Sequence, residues 1–590
     1  MSNYRRGARL TAVAAVGVLA LAACGGGNGD GSSGTGAAEF NAAVTGVVSP
    51  SEVTGGTLNL GSGGDCDSWD PGRQYYGWCL NMGRLYYRTL MAFKPVPGED
   101  SFDVVPDLAQ APGEANPDQT VWTYHLRPGL TYEDGTPITT KDIKYAIQRL
   151  YATGVINGGP SPYYWCLLDE CVDGAAKYKG PYDDPDGDLP RIETPDDTTI
   201  VFNLTQPYAD FDYLMALGTA APLPADKDDG EDYAQHPVSS GPYKIESYDP
   251  GKSITFVRNE NWSQASDMVR KPKVDKVVLT MFSNRDDLDQ RVLAGTIDAL
   301  ADNGFKAAAI TQTLNDPNKK KYADNPVEPA TQYIVLASSV PPLDNIDCRK
   351  AIFYAINKKA LLAANGGDSQ GTISNSMTPI GVPGYEPEYD PYPTGPDGTG
   401  DLAKARESLA ACGHPDGFDV NMTYIAGSVT DEQNFAAVQE SLGRVGIKVT
   451  AKPGEQSVYY TTWIGSPQNI VDQKLGILGA GWGADFPSIN GFYRSIAHGD
   501  SILPTGNSNY ASLDDPEVNR LMDDALRASP DQQEDIGKQL NHRLMDLAVM
   551  LPTRFSKDIY YRSSRLTNVY ALYSFFSLYD FVQVGVSDGK

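Results

Sequence analysis

Residues 121–151 read VWTYHLRPGLTYEDGTPITTKDIKYAIQRLY, and three kinds of local structure follow one another in them. Val121 to Leu126 is β-branched and aromatic, which reads as a strand. Arg127-Pro128-Gly129 and Glu133-Asp134-Gly135-Thr136-Pro137 each carry the Gly and Pro of a turn. Thr140-Lys141-Asp142-Ile143 then opens a helix that reaches about Tyr151.

The same alternation continues in both directions. Gly56 to Gly61, Thr198 to Leu204 and Val274 to Phe282 read as strands. Ser240-Gly241-Pro242-Tyr243 leads into a strand that turns at Asp249-Pro250-Gly251-Lys252 and returns over 253–258. Helices are expected over 286–293, 347–362, 402–412, 435–445, 516–526 and 531–547, and strands over 333–336, 447–449 and 475–478. Interleaved strands and helices make the class α/β with mixed sheets.

The 590 residues allow several domain-sized units. Apolar residues at 41% and charged residues at 21% exclude a disordered or fibrous chain. The formal charge of −27 excludes a phosphate-neutralising surface, so no nucleic-acid partner is expected. It also argues against a broad electrostatic dock onto anionic lipid.

The first residues set the compartment. Arg5, Arg6 and Arg9 precede an uncharged apolar run, Leu10 to Ala23, that is short for a membrane span. Residues 1–23 therefore read as a signal peptide. The run ends in Leu21-Ala22-Ala23-Cys24-Gly25, which looks like a bacterial lipobox with Cys24 lipidated. A plain secretory signal with an incidental cysteine is the alternative. Residues 24–52 are rich in Gly and Ser and read as a flexible tether. The body is expected at the outer face of a bacterial membrane, held there by lipid.

Six cysteines remain: Cys66, Cys79, Cys166, Cys171, Cys348 and Cys412. In an exported chain an even number suggests disulfides. Six allow fifteen pairings, and proximity ranks 66 with 79, 166 with 171, and 348 with 412 first. The rival is zinc, but there is no Cys-x-x-Cys.

Catalytic chemistry finds little support. His125, His236, His414, His498 and His542 are scattered and form no His-Glu-x-x-His. There is no Gly-x-Ser-x-Gly elbow. Asp184, Asp186, Gly187 and Glu193 fit part of a calcium loop, but Tyr182 holds its first ligand position. No cofactor, metal or enzymatic activity is expected; an extracytoplasmic hydrolase is the remote alternative.

Several segments, in order, resemble the family 5 extracellular solute-binding proteins, the oligopeptide- and dipeptide-binding components of ABC importers. They are Leu126-Arg127-Pro128-Gly129 with Glu133 to Pro137, Ser240-Gly241-Pro242-Tyr243 with Arg258-Asn259, and Pro342-Leu343-Asp344 with Arg349-Lys350-Ala351. Gly443 to Ile447, Gly481-Trp482-Gly483-Ala484-Asp485-Phe486 and Asn509-Tyr510 to Val518 complete the series. The resemblance implies a periplasmic-binding-protein-like fold of class II with three lobes. Lobe I would combine 53–94, 200–330 and 552–590, lobe II would be the 95–199 insertion, and lobe III would span 331–551. Hinges would lie near 329–333 and 551–553, between two main lobes.

The resemblance also implies a monomeric receptor that passes a peptide or other small solute to a permease, with separate ATPase subunits supplying energy. Asp485 would neutralise the solute's amine, and Trp482 would form a flat wall. Gly481 and Gly483 would let a ligand backbone approach. Here Pro487-Ser488 stands where the family has Asp-Pro after the aromatic. Trp69, Tyr75, Tyr76 and Trp78, inside the Cys66 to Cys79 segment, are further pocket residues, and Arg73 is a candidate for a ligand carboxylate. The aromatic density keeps an oligosaccharide open as a ligand, and a nickel chelate is the other alternative.

Overall fold

In the computed structural model, residues 39–589 are described apart from 158, 173–174 and 396–397. The signal peptide, Cys24 and the first part of the tether lie outside the described residues. The rest of the tether does not behave as expected. Ala42–Thr45 forms a helical turn, Ala43 N donates to Asp324 Oδ1 at 2.9 Å, and Val48 bridges Val569. Ala43 and Val48 are buried in the adjoining core. Residues 39–51 are thus part of the folded body, because their few apolar side chains find a groove beside the C-terminal segment.

Strand Thr57–Ser62 runs parallel to Lys276–Met281 on one side and to Ala299–Leu300 on the other. The hairpin Tyr243–Asp249 and Ser253–Arg258 extends this sheet antiparallel, turning at Gly251 with φ of 71°. Leu58, Leu60, Ile254, Phe256, Val277 and Leu279 alternate inward and are fully buried. C-terminal residues Val569, Phe581, Val582 and Val584 close the same core. This is lobe I.

The second unit is built on Val121–His125 paired antiparallel with Thr199–Asn203. Helix Thr140–Arg149 packs over it, opened by a reciprocal capping box between Thr139 and Asp142. The expected boundary at 199 falls on a strand of this sheet. The core runs on through Phe211, Leu214 and Met215, so the insertion's packing extends past 199.

The third unit has a six-stranded mixed sheet. Its order is Gly371–Ile373, Met550–Lys557, Val327–Leu336, Leu475–Gly483, Asp419–Thr423 and Lys448–Ala451. The helix expected over 347–362 is two helices, Ile346–Ala355 and Lys358–Ala364. Between them Ile356 is extended, and Asn357 caps the second helix by accepting from Ala360 N at 2.9 Å. The strand expected over 475–478 continues through Gly483, and the one expected over 333–336 starts at Val327.

Two long strands carry the chain between lobes, and they lie side by side. Val327–Leu336 pairs with Met550–Lys557, with Thr331 opposite Phe555 and Tyr333 opposite Pro552. The ladder shifts between Val327 and Thr331, which loosens pairing at the crossing. Three disulfides join Cys66 to Cys79, Cys166 to Cys171 and Cys348 to Cys412, so the zinc alternative for these cysteines is set aside. Among the described residues no helix is long and apolar enough to cross a membrane.

Candidate functional site

A cavity of about 630 Å³ opens between lobe I and the six-stranded sheet. That volume suits a small organic solute. The strand Leu475–Gly483 forms its floor. Beyond Leu478 this strand keeps its partner on one side, with Gln332 opposite Gly481 and Ala330 opposite Gly483. On its other side pairing with Asp419–Thr423 ends at Thr423 opposite Leu478. Residues 479–483 therefore offer one ladder edge to the cavity, which all five line.

Glycine is required here for contact reasons. A Cβ on Gly483 would meet the Phe576 ring at 2.5 Å, and one on Gly77 would meet it at 2.1 Å. Phe576, at φ of 53°, wedges between the lobe I helix Gly77–Gly83 and the strand Leu475–Gly483 and lines the cavity. A Cβ on Gly481 would meet the Gln332 side chain at 2.5 Å.

Asp485 stands just past the end of this strand, where elements of all three lobes meet. Its Oδ1 accepts from the Tyr75 hydroxyl and its Oδ2 from the Tyr163 hydroxyl, each at 2.6 Å. Tyr75 belongs to the disulfide-closed loop of lobe I, where Asp67 accepts its backbone N–H at 2.7 Å. Tyr163 sits on helix Pro162–Leu168 of lobe II. Desolvation pushes the Asp485 carboxyl up to about 6, against the pull of the Tyr163 and Tyr75 hydrogen bonds. The next residue, Phe486, is buried in the lobe II core, stacked on Tyr213 at 5.8 Å and edge-on to Tyr163 at 5.3 Å.

The sequence candidates divide. Gly481, Trp482, Gly483, Asp485, Tyr75 and Tyr76 all line the cavity. Trp78 does not: its ring packs against the lobe I core. Trp69 is fully inside that core, with its indole N–H on Asp65 Oδ1 at 3.2 Å. The disulfide loop turns these tryptophans inward and leaves the neighbouring tyrosines outward. Arg73 donates to Asn157 Oδ1 at 3.0 Å instead of lining the cavity. The Trp482 indole N–H is buried with no hydrogen-bond partner.

Sequence reasoning missed Tyr163, Arg554, Phe576 and Asp431. Tyr163 lies in PSPYYWC, next to a cysteine already singled out, and that aromatic run was the available signal. The other cationic residues of the wall, Arg84 and Arg270, are neutralised by buried partners, Arg84 by Asp580 at 3.0 Å and Arg270 by Asp107 at 2.7 Å. Arg554 instead donates to Gln370 O at 2.7 Å.

Lobes joined by paired crossing strands, with a cleft between them and a ladder edge on its floor, define a solute-binding protein of the hinged type. Comparison with known proteins makes this specific. Residues 103–503 match the model of the bacterial extracellular solute-binding proteins, family 5, and the chain belongs to that family. It is 24% identical to Heme-binding protein A of Haemophilus influenzae over 461 residues, 75% of this chain and 76% of that one. It is 28% identical over 304 residues to the probable D,D-dipeptide-binding periplasmic protein DdpA of Escherichia coli, covering 49% of this chain and 52% of the relative. Among solved structures, clavulanic acid biosynthesis oligopeptide binding protein 2 superposes with a TM-score of 0.90 at 40% identity, over 93% of this chain and 99% of that one. DppA from Helicobacter pylori in complex with peptide STSA gives a TM-score of 0.68 at 21% identity, over 91% and 99% of the two chains. The chain is a binding protein of this family and not an enzyme.

Proposed function

We propose that this protein captures peptide-like solutes outside the cytoplasm and delivers them to an ABC permease, whose ATPase subunits drive import. The observation that carries this reading is the pairing of a free ladder edge at 479–483 with a carboxylate at its end. A main chain laid along that edge finds backbone donors and acceptors without regard to its side chains. Its terminal ammonium then reaches Asp485, and a buried ammonium needs such a counter-charge. Relatives named for dipeptide, glutathione and oligopeptide binding support the same ligand class. Cys24 as a lipidated anchor and residues 25–38 as a tether complete the proposal, on the strength of the Leu21-Ala22-Ala23-Cys24-Gly25 motif.

The test is native mass spectrometry of the soluble body, followed by calorimetry with synthetic di- to pentapeptides in free and N-acetylated form. Co-purified or added peptides should bind, the free form at least tenfold more tightly. Retention of sugars alone, or equal affinity for both forms, would overturn the reading.

A further inference from the structure

The lobe III wall of the cavity carries a second carboxylate that the main-chain site does not use. Asp431 is in the first turn of helix Val429–Gly443 and lines the cavity. Its backbone N–H donates to Ser428 Oγ, and its Oδ2 accepts from Ile425 N, both at 3.3 Å. Among the described residues no Lys, Arg or His nitrogen lies within 4.0 Å of it. Aromatic residues share the cavity with it. Tyr424, Tyr459 and Tyr460 line the same stretch of wall, the last two edge to face at 5.1 Å. Tyr460 remains 48% exposed, a large ring left uncovered inside a cleft. Desolvation raises the Tyr460 hydroxyl, and the nearby Asp431 charge adds to it.

A second observation, a buried hydroxyl without a partner, points independently to a polar ligand group at this wall. Tyr333 is 2% exposed, and its hydroxyl has no hydrogen-bond partner. It lines this cavity and feels the Tyr460 and Tyr510 hydroxyls, which places it in the same cluster. A buried phenol without a partner is destabilising, and a bound polar group would offset that cost. A carboxylate without a cationic partner, on a wall shared with tyrosine rings, is an environment for a cation.

We propose that Asp431, with the rings of Tyr424, Tyr459 and Tyr460, forms a subsite for a cationic side chain, guanidinium or ammonium, of the captured solute. The Tyr333 hydroxyl supplies a neutral polar contact beside it. The proposal rests on the peptide reading for the ligand's main chain, but not for the cation itself. Asp485 and Asp431 then divide the work: one meets the terminal amine, the other selects a basic residue.

The test compares wild type with Asp431→Asn, which keeps an acceptor for Ile425 N, so its melting temperature should match. Calorimetry uses tripeptides of alanine with one arginine, one lysine or one citrulline at each position; citrulline copies the shape of arginine without its charge. Butylguanidinium alone serves as a minimal probe. At one position arginine should bind at least tenfold more tightly than citrulline in wild type, and that ratio should fall within twofold in the variant. Citrulline affinity should be the same in both proteins. The lysine peptide separates guanidinium from ammonium selectivity. Equal binding of arginine, lysine and citrulline peptides to wild type at every position, or a preference that survives Asp431→Asn, overturns the subsite while leaving peptide capture standing. If no peptide binds but butylguanidinium binds in an Asp431-dependent way, the subsite stands and peptide capture falls. If nothing binds, both fall.

Discussion

Asp485 is half-buried, and the contacts that cover it also orient it, which sets its response to mutation and to pH. Two tyrosine hydroxyls from different lobes hold its oxygens, so the carboxylate cannot turn away from the cavity. Asp485→Asn keeps the shape and one acceptor but removes the charge. Affinity for free-amine peptides should fall at least tenfold, about 1.4 kcal/mol, with no change for their N-acetylated forms in the same calorimetry. The carboxyl lies at about 6 in the folded protein against 3.8 for a freely solvated aspartate. The folded state therefore holds its proton more tightly than the unfolded state, and this group's contribution to stability declines as pH rises from 3.8 to about 6. Ligand binding has the opposite sign, since an ammonium favours the ionised form. Affinity for a free-amine peptide should climb through pH 6 and level off above it, and a calorimetric pH series with an N-acetylated control isolates that dependence. A flat series would show that the amine sits elsewhere.

At the scale of elements, helix ends and sheet edges decide both stability and access. Cys348 on helix Ile346–Ala355 is tied to Cys412 at the end of helix Leu402–Ala411, closing a loop of 64 residues. A loop of that length constrains the unfolded chain by about 4 kcal/mol. Replacing both cysteines by alanine should lower the denaturation free energy by roughly that amount, read by urea titration, while peptide affinity changes less than twofold because neither residue lines the cavity. The elements themselves were largely legible. Strand periodicity around Val121–His125 and the Asp249 to Lys252 hairpin appeared as read, since those signals are local. What escaped were features set by neighbours: Asn357 splitting a helix, Leu475–Gly483 outrunning its apolar start, and residues 39–51 docking on the body. The cleft was legible where a motif marked it, at Gly481 to Asp485. It was hidden where distant chain segments converge, as Tyr163 does on Asp485 from 322 positions away. The Trp78 expectation failed because composition says nothing about which side of a disulfide loop turns inward.

For the whole molecule, the conformation seen here has its lobes bridged across the cleft, and the bridges can be counted. Phe486 leaves the end of the cleft-floor strand and inserts into the lobe II core between Tyr163 and Tyr213. Asp485 adds the two tyrosine hydrogen bonds beside it. Withdrawing a buried phenylalanine from its core costs about 2–3 kcal/mol, so this one side chain stabilises the closed arrangement strongly. The paired crossing strands, with their irregular register near Val327 to Thr331, are where bending would be absorbed. Ligand shifts such an equilibrium only by its differential affinity for the two states. Phe486→Ala should therefore favour the open state without unfolding any lobe. Small-angle scattering of the ligand-free variant should give a radius of gyration above that of ligand-free wild type, itself about 24 Å for a body of this length. Saturating peptide should return both proteins to the same smaller value, with weaker apparent affinity for the variant. Identical profiles for variant and wild type, with and without peptide, would show that the cleft takes its ligand without hinge motion and that Phe486 is ordinary core.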